Sequence, residues 1–124
     1  MRNVTFILLI TFLLGCSGNE ALDATDEIEF GFKYQIISDS NLPSLSNGKL
    51  VTKVGYSGCS GNHEFIFKYR ISNATAELWL FKETGDQDCL AAFGEVKTYA
   101  LPQNVLSSKN IFLVTPNEER LSLN

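Results

Sequence analysis

The 124-residue sequence predicts an all-β fold over residues 28–124: a single antiparallel β-sandwich or small barrel of six to seven short strands. Three observations carry this expectation. Apolar and polar residues alternate with a period of two. Runs of β-type residues recur at short intervals between clusters of Gly, Pro, Asn and Ser. No window of about 12 residues carries a helical apolar stripe, and Asp88 to Phe93 make one short turn at most.

In the first strand, Ile28, Phe30, Phe32, Tyr34 and Ile36 alternate with Glu29, Gly31, Lys33 and Gln35, which puts the first set on one sheet face. Further strands are expected at about 49–56, 63–72, 75–83, 92–101 and 110–115. The breaks fall at Ser38 to Gly48 with Pro43, Ser57 to Asn62, Asn73-Ala74, Thr84 to Asp88 and Pro102 to Asn110. One Trp, four Tyr and nine Phe suit such a core; Trp79 and the Phe residues are expected to pack rather than bind ligand. If Asn73-Ala74 is a two-residue turn, Phe67 faces Leu80, Tyr69 faces Leu78 and Ile71 faces Ala76, while Arg70 meets Glu77 and Ile66 meets Phe81 on the other face. Slipping by one residue would set Ile71 against Glu77, which a buried face rejects.

The amino terminus has a different character. Met1-Arg2 precede an apolar run from Val4 to Leu14 that is too short for a membrane-spanning helix of about 20 residues but suits the hydrophobic region of a signal peptide. The run closes with Leu13-Leu14-Gly15-Cys16, which resembles the lipobox of bacterial lipoproteins. That resemblance implies removal of residues 1–15 and acylation of Cys16, which becomes the first residue of the mature protein. Acyl chains would hold it to a membrane, because each buried methylene contributes about 0.8 kcal/mol. Residues 16–27, with Glu20, Asp23, Asp26 and Glu27 and little to bury, read as a flexible tether. Ser17 rather than Asp after the lipidated cysteine suggests, by resemblance to enterobacterial lipoproteins, delivery to the outer membrane of the cell envelope. The formal net charge of −4 argues against a nucleic-acid partner, which needs a positive face to release counterions.

Export bears on the remaining cysteines. An oxidising compartment favours sulfur pairing, lipidation of Cys16 leaves an even number, and the hairpin register extended outward brings Cys59 opposite Asp88, next to Cys89. A Cys59–Cys89 disulfide is therefore expected at the open end of the hairpin, aligned by a bulge near Gly61 or Gly85. Closing a loop of about 30 residues stabilises a fold by roughly 3 to 4 kcal/mol in the chain-entropy view. The same end would gather His63, Asp86 and Asp88 as a possible binding end. Cys, His and carboxylate are zinc ligand types, but ligation needs reduced thiols and the Cys59 to His63 spacing is a single pair, so no metal is assigned. Asp86 and Asp88 lack the downstream Glu of a calcium loop. His63, the sole histidine, is expected at a strand start, hydrogen-bonded near the disulfide.

Gly58-Cys59, His63, Phe65, and later Asp86 and Asp88-Cys89 resemble small lipoproteins, frequent in Bacteroidota, that carry Gly-Cys-x-x-His-x-Phe and Asp-x-Cys. The likeness covers residues 50–103 and differs by one residue, with three between Cys59 and His63. It implies a common fold. No catalytic residues and no cofactor are expected: the only base for a nucleophilic triad is His63, and no phosphate loop or His-Glu-x-x-His motif occurs. The expected function is a lipid-anchored, non-enzymatic binding or structural module with a protein partner in the envelope. The alternatives are an inhibitor of an envelope-attacking hydrolase such as lysozyme, steered by acidic charge, or a metal-binding or redox protein at Cys59, His63 and Cys89.

Overall fold

A computed structural model describes residues 27–124; the expected signal peptide (residues 1–15), Cys16 and the expected tether up to residue 26 lie outside the described residues. Within them the chain forms β1 (Gln35–Ile37), β2 (Ser44–Ser46), β3 (Lys49–Gly58), β4 (Phe65–Ser72), β5 (Thr75–Lys82), β6 (Ala91–Ala100), α1 (Gln103–Leu106), β7 (Asn110–Val114) and β8 (Arg120–Ser122). These strands build two four-stranded sheets packed as a sandwich, not a closed barrel. In the first sheet β3 pairs with β6 on one side and with β1 and β2 on the other. The second sheet runs β4-β5-β7-β8.

Five of the expected strands form with nearly the expected bounds. The β4–β5 hairpin adopts the register that its turn dictates, with Phe67 opposite Leu80, Tyr69 opposite Leu78 and Arg70 opposite Glu77. Arg70 Nε donates to Glu77 Oε1 at 2.9 Å. Asn73 and Ala74 both take left-handed backbone, at φ 51° and 62°, as a turn matching the twist of a two-residue hairpin requires.

Four expectations need correction. The long first strand does not form: only Gln35–Ile37 is β1, and of the predicted face Tyr34 is buried while Phe32 stands 45% exposed. The cause is Gly31. At φ +72° its backbone presses so closely on Lys82 that a side chain would collide with the Lys82 carbonyl. Phe32 N donates to Lys82 O at 3.1 Å, and Lys82 N donates to Phe30 O at 2.9 Å, a parallel bridge to β5. The chain then crosses to the first sheet, so one apolar alternation serves two sheets. Secondly, β7 lies parallel to β5. Between them the chain passes through β6 in the opposite sheet and then α1, so it re-enters beside β5 in the same direction. Thirdly, the segment expected as a plain break at 102–110 holds α1, whose Val105 is fully buried. Fourthly, the β4–β5 ladder is unbroken to Phe65 and Lys82, and Glu83 N still donates to Glu64 O at 2.9 Å; no bulge at Gly61 or Gly85 is involved.

Between the sheets lies one core of Tyr34, Leu50, Val54, Tyr56, Phe67, Leu78, Leu80, Ile111 and Leu113 with their neighbours. Trp79 is packed as expected, at 0% exposure, but it sits outside this cluster. Strand alternation turns it to the outer face of the second sheet.

Candidate functional site

The Cys59–Cys89 disulfide is present, and a different ladder explains it. Cys59 follows the last residue of β3 and Cys89 lies just ahead of β6; these strands pair with Gly58 opposite Ala91. Continuing that register sets Cys59 opposite Leu90, so Cys89 is one step away. With both sulfurs joined to each other, neither is a thiolate ligand for a metal.

Behind the disulfide, alternation turns Tyr56 of β3 and Phe93, Glu95 and Lys97 of β6 towards the opposite sheet. The Tyr56 hydroxyl donates to Glu95 Oε1, and Asn62 N donates to the same oxygen at 2.5 Å. Lys97 Nζ lies 3.1 Å from Glu95 Oε2 and donates to His63 O at 3.0 Å. His63 N donates to the Tyr56 hydroxyl at 3.1 Å, while its ring stacks on Tyr56 with centroids 4.1 Å apart. Burial pushes the Glu95 carboxyl up, but the bonds from Tyr56, Asn62 and Lys97 outweigh it and leave the group below its ordinary value. Tyr56 is raised, first by burial and then by its bond to Glu95.

Lys82 completes the cluster from β5. It is 1% exposed, donates to Thr84 O at 2.7 Å and lies 5.3 Å from the Tyr56 ring centroid. Burial lowers its pKa.

Gln87 seals this cluster from outside. Its Oε1 accepts from Cys59 N at 2.6 Å and from Ser60 N at 3.3 Å, and His63 Nε2 lies 3.2 Å from the same atom. Two backbone donors fix that atom as the oxygen, so His63 Nε2 donates to it. Nδ1 is buried without a partner. Gly58 packs against this assembly, since a side chain there would meet Gln87 Oε1 at 2.7 Å and His63 Cε1 at 3.0 Å.

His63 thus precedes β4, hydrogen-bonded near the disulfide as expected, but at 2% exposure it offers nothing to solvent. It belongs to the interior, because its ring is held between Tyr56 and Gln87. Asp86 and Asp88 are exposed, and neither is bonded to His63. Among the described residues no three His, Cys, Asp or Glu side chains gather closely enough to hold a metal ion.

Asp86 instead borders an open groove of about 650 Å³ on the outer face of the first sheet. On its floor Gly55 pairs with Gly94 and Ser57 with Ala92 across β3 and β6; Gly55 is buried under Ile37 and Gln35, whereas Ser57, Ala92 and Gly94 are exposed. Lys33, Gln35, Ile37, Lys53 and Leu90 form its walls, and Leu90 is 91% exposed.

Sequence reading missed Tyr56, Gln87, Glu95 and Lys97. A signal for two of them was available: Glu95 and Lys97 share their parity with Phe93 and Tyr99, so two charges fall on an apolar face. Gln87 left none, because only the folded turn brings it to Cys59. No model of a known protein family, no curated protein and no solved structure matches the chain.

Proposed function

We propose that the chain is a bacterial lipoprotein, anchored in the cell envelope and by preference the outer membrane through acyl chains on Cys16, whose domain is a non-enzymatic binding module. Its likeness to the small Bacteroidota-type lipoproteins belongs to the same proposal. The observation that carries the binding reading is the groove. A floor of small residues at Ser57, Ala92 and Gly94 leaves sheet backbone within reach of an extended or flat ligand, and a Leu90 that is 91% exposed at its edge gives apolar area to cover. Two further features favour binding over catalysis: the only histidine is walled in behind Gln87, and the two cysteines are oxidised.

The two halves are tested separately. Radiolabelled palmitate should enter the full chain, and Cys16→Ser should abolish incorporation and move the protein out of the detergent phase on phase partition; label retained in that variant removes the anchor. For the groove, a photo-crosslinking residue in place of Lys53 should yield a discrete adduct in intact cells, lost when Gly94→Leu fills the floor. The Gly94 side needs only the flexible end of Lys53 to move, since the nearest contact of an added carbon is Lys53 Cε at 3.2 Å. An adduct of equal yield with and without Gly94→Leu sinks the binding reading.

A further inference from the structure

Among the described residues β6 is the longest uncovered sheet edge. It pairs with β3 over all ten residues, Ala91 to Ala100, without a bulge, and among the described residues no strand covers its other side. Edges of this kind are normally blunted by proline, by charged side chains, by bulges or by inward-pointing charges, and of these β6 carries only the last. Here the outward positions are Ala92, Gly94, Val96, Thr98 and Ala100, none charged, and Val96 is 57% exposed. The charges of β6, Glu95 and Lys97, point inward and neutralise each other.

We infer that β6 pairs antiparallel with β6 of a second copy of this chain, centred on Val96, so that two first sheets join into one continuous sheet. The registers can be compared directly. A two-fold axis perpendicular to the sheet keeps the inner faces on one side, so inward residues must meet inward residues. Centring on Glu95 would oppose two carboxylates, and centring on Lys97 two ammonium groups; like charges directly opposite destabilise a ladder. Centring on Val96 sets Glu95 against Lys97 of the second copy twice over, Phe93 against Tyr99, Gly94 against Thr98, Ala92 against Ala100, and Val96 against itself. Opposite charges, an aromatic pair and an aliphatic pair all fall into place in one register. The pairing is isologous and closes at two copies, and the edge is consumed by it. Ala92 and Gly94 belong both to this ladder and to the groove floor, whereas Val96 and Thr98 lie outside the groove, so variants at those two positions test the dimer without altering the binding reading.

Cysteine substitution in the full chain tests the register. Directly opposite residues have Cβ atoms about 5 Å apart, within reach of a disulfide or a short bifunctional thiol reagent. Val96→Cys should form a covalent dimer above the background of the unsubstituted chain. Thr98→Cys should not, because two copies of that position lie about four strand steps of roughly 3.4 Å apart; mixed with Gly94→Cys it should cross-link. Val96→Lys, at an exposed site that leaves the core untouched, should convert a species of twice the chain mass to single chains with an unchanged circular dichroism spectrum. A single-chain mass for the native protein at every concentration, or equal cross-linking at positions 96 and 98, overturns the proposal.

Discussion

The two ends of the sandwich are built on different physics. At the end carrying the Asn73-Ala74 turn and α1, the interior is Leu50, Ala76, Leu78, Leu101, Val105, Ile111 and Leu113, nearly all at zero exposure. At the disulfide end the same two sheets enclose Tyr56, His63, Lys82, Glu95 and Lys97, bonded to one another and to backbone. The first end is stabilised by apolar area, which is non-directional and tolerates change of shape. The second depends on satisfied partners, so removing any one strands several others.

The comparison can be broken in order of expected effect. Leu78→Ala should cost about 4 kcal/mol in urea unfolding through lost transfer energy and an unfilled cavity; a loss below 1 kcal/mol would mean that the apolar end is not the tighter one. Replacing Cys59 and Cys89 together by Ala should cost about 3 kcal/mol, with the loss read by the same titration and reproduced in the native chain by reductant. If reductant leaves the native midpoint unmoved, the disulfide does not support the polar end.

Glu95→Gln should cost about 2 kcal/mol near neutral pH, because the amide replaces charge-assisted bonds from Lys97 and Asn62. This variant also carries a pH signature. Since the folded Glu95 pKa lies below its ordinary 4.5, its contribution is complete above that value and is lost as pH falls through the lower folded one. The gap between native and Glu95→Gln stability should therefore close towards acid, and a gap constant from pH 7 to about pH 3 contradicts the assignment. At the apolar end the smallest effect should be a gain. Ala74 sits at φ 62°, where a side chain costs roughly 1 kcal/mol or more that glycine avoids, so Ala74→Gly should stabilise by about 1 kcal/mol; a lower thermal midpoint would refute it.

The same contrast governs how much could be read from the sequence. Period-two alternation and turn residues located β3 to β7 within a few positions, and Asn73-Ala74 set the hairpin register because a two-residue turn leaves no slack. Alternation states which side of a strand faces inward, not which sheet the strand joins. That is why residues 28–36 read as one strand although Gly31 diverts the chain from β5 to β1. The three-residue strands β2 and β8 are too short for a pattern. The cysteine pair was legible from the expected export and the even number of cysteines it would leave, while the β3–β6 ladder that brings the sulfurs together was not, since those strands are joined through two intervening strands. The polar cluster depends on Gln87 and Asn62, loop residues whose partners exist only after the sheets meet.

The contact between Gly31 and Lys82 has a mechanical meaning. Among the described residues, the first backbone hydrogen bonds that a pull on the amino-terminal side of Glu27 meets are the two that Lys82 exchanges with Phe30 and Phe32, ahead of β1. Those bonds grip β5, an interior strand held by β4 along its whole length, so a tug is spread across the second sheet instead of peeling the first sheet from its rim.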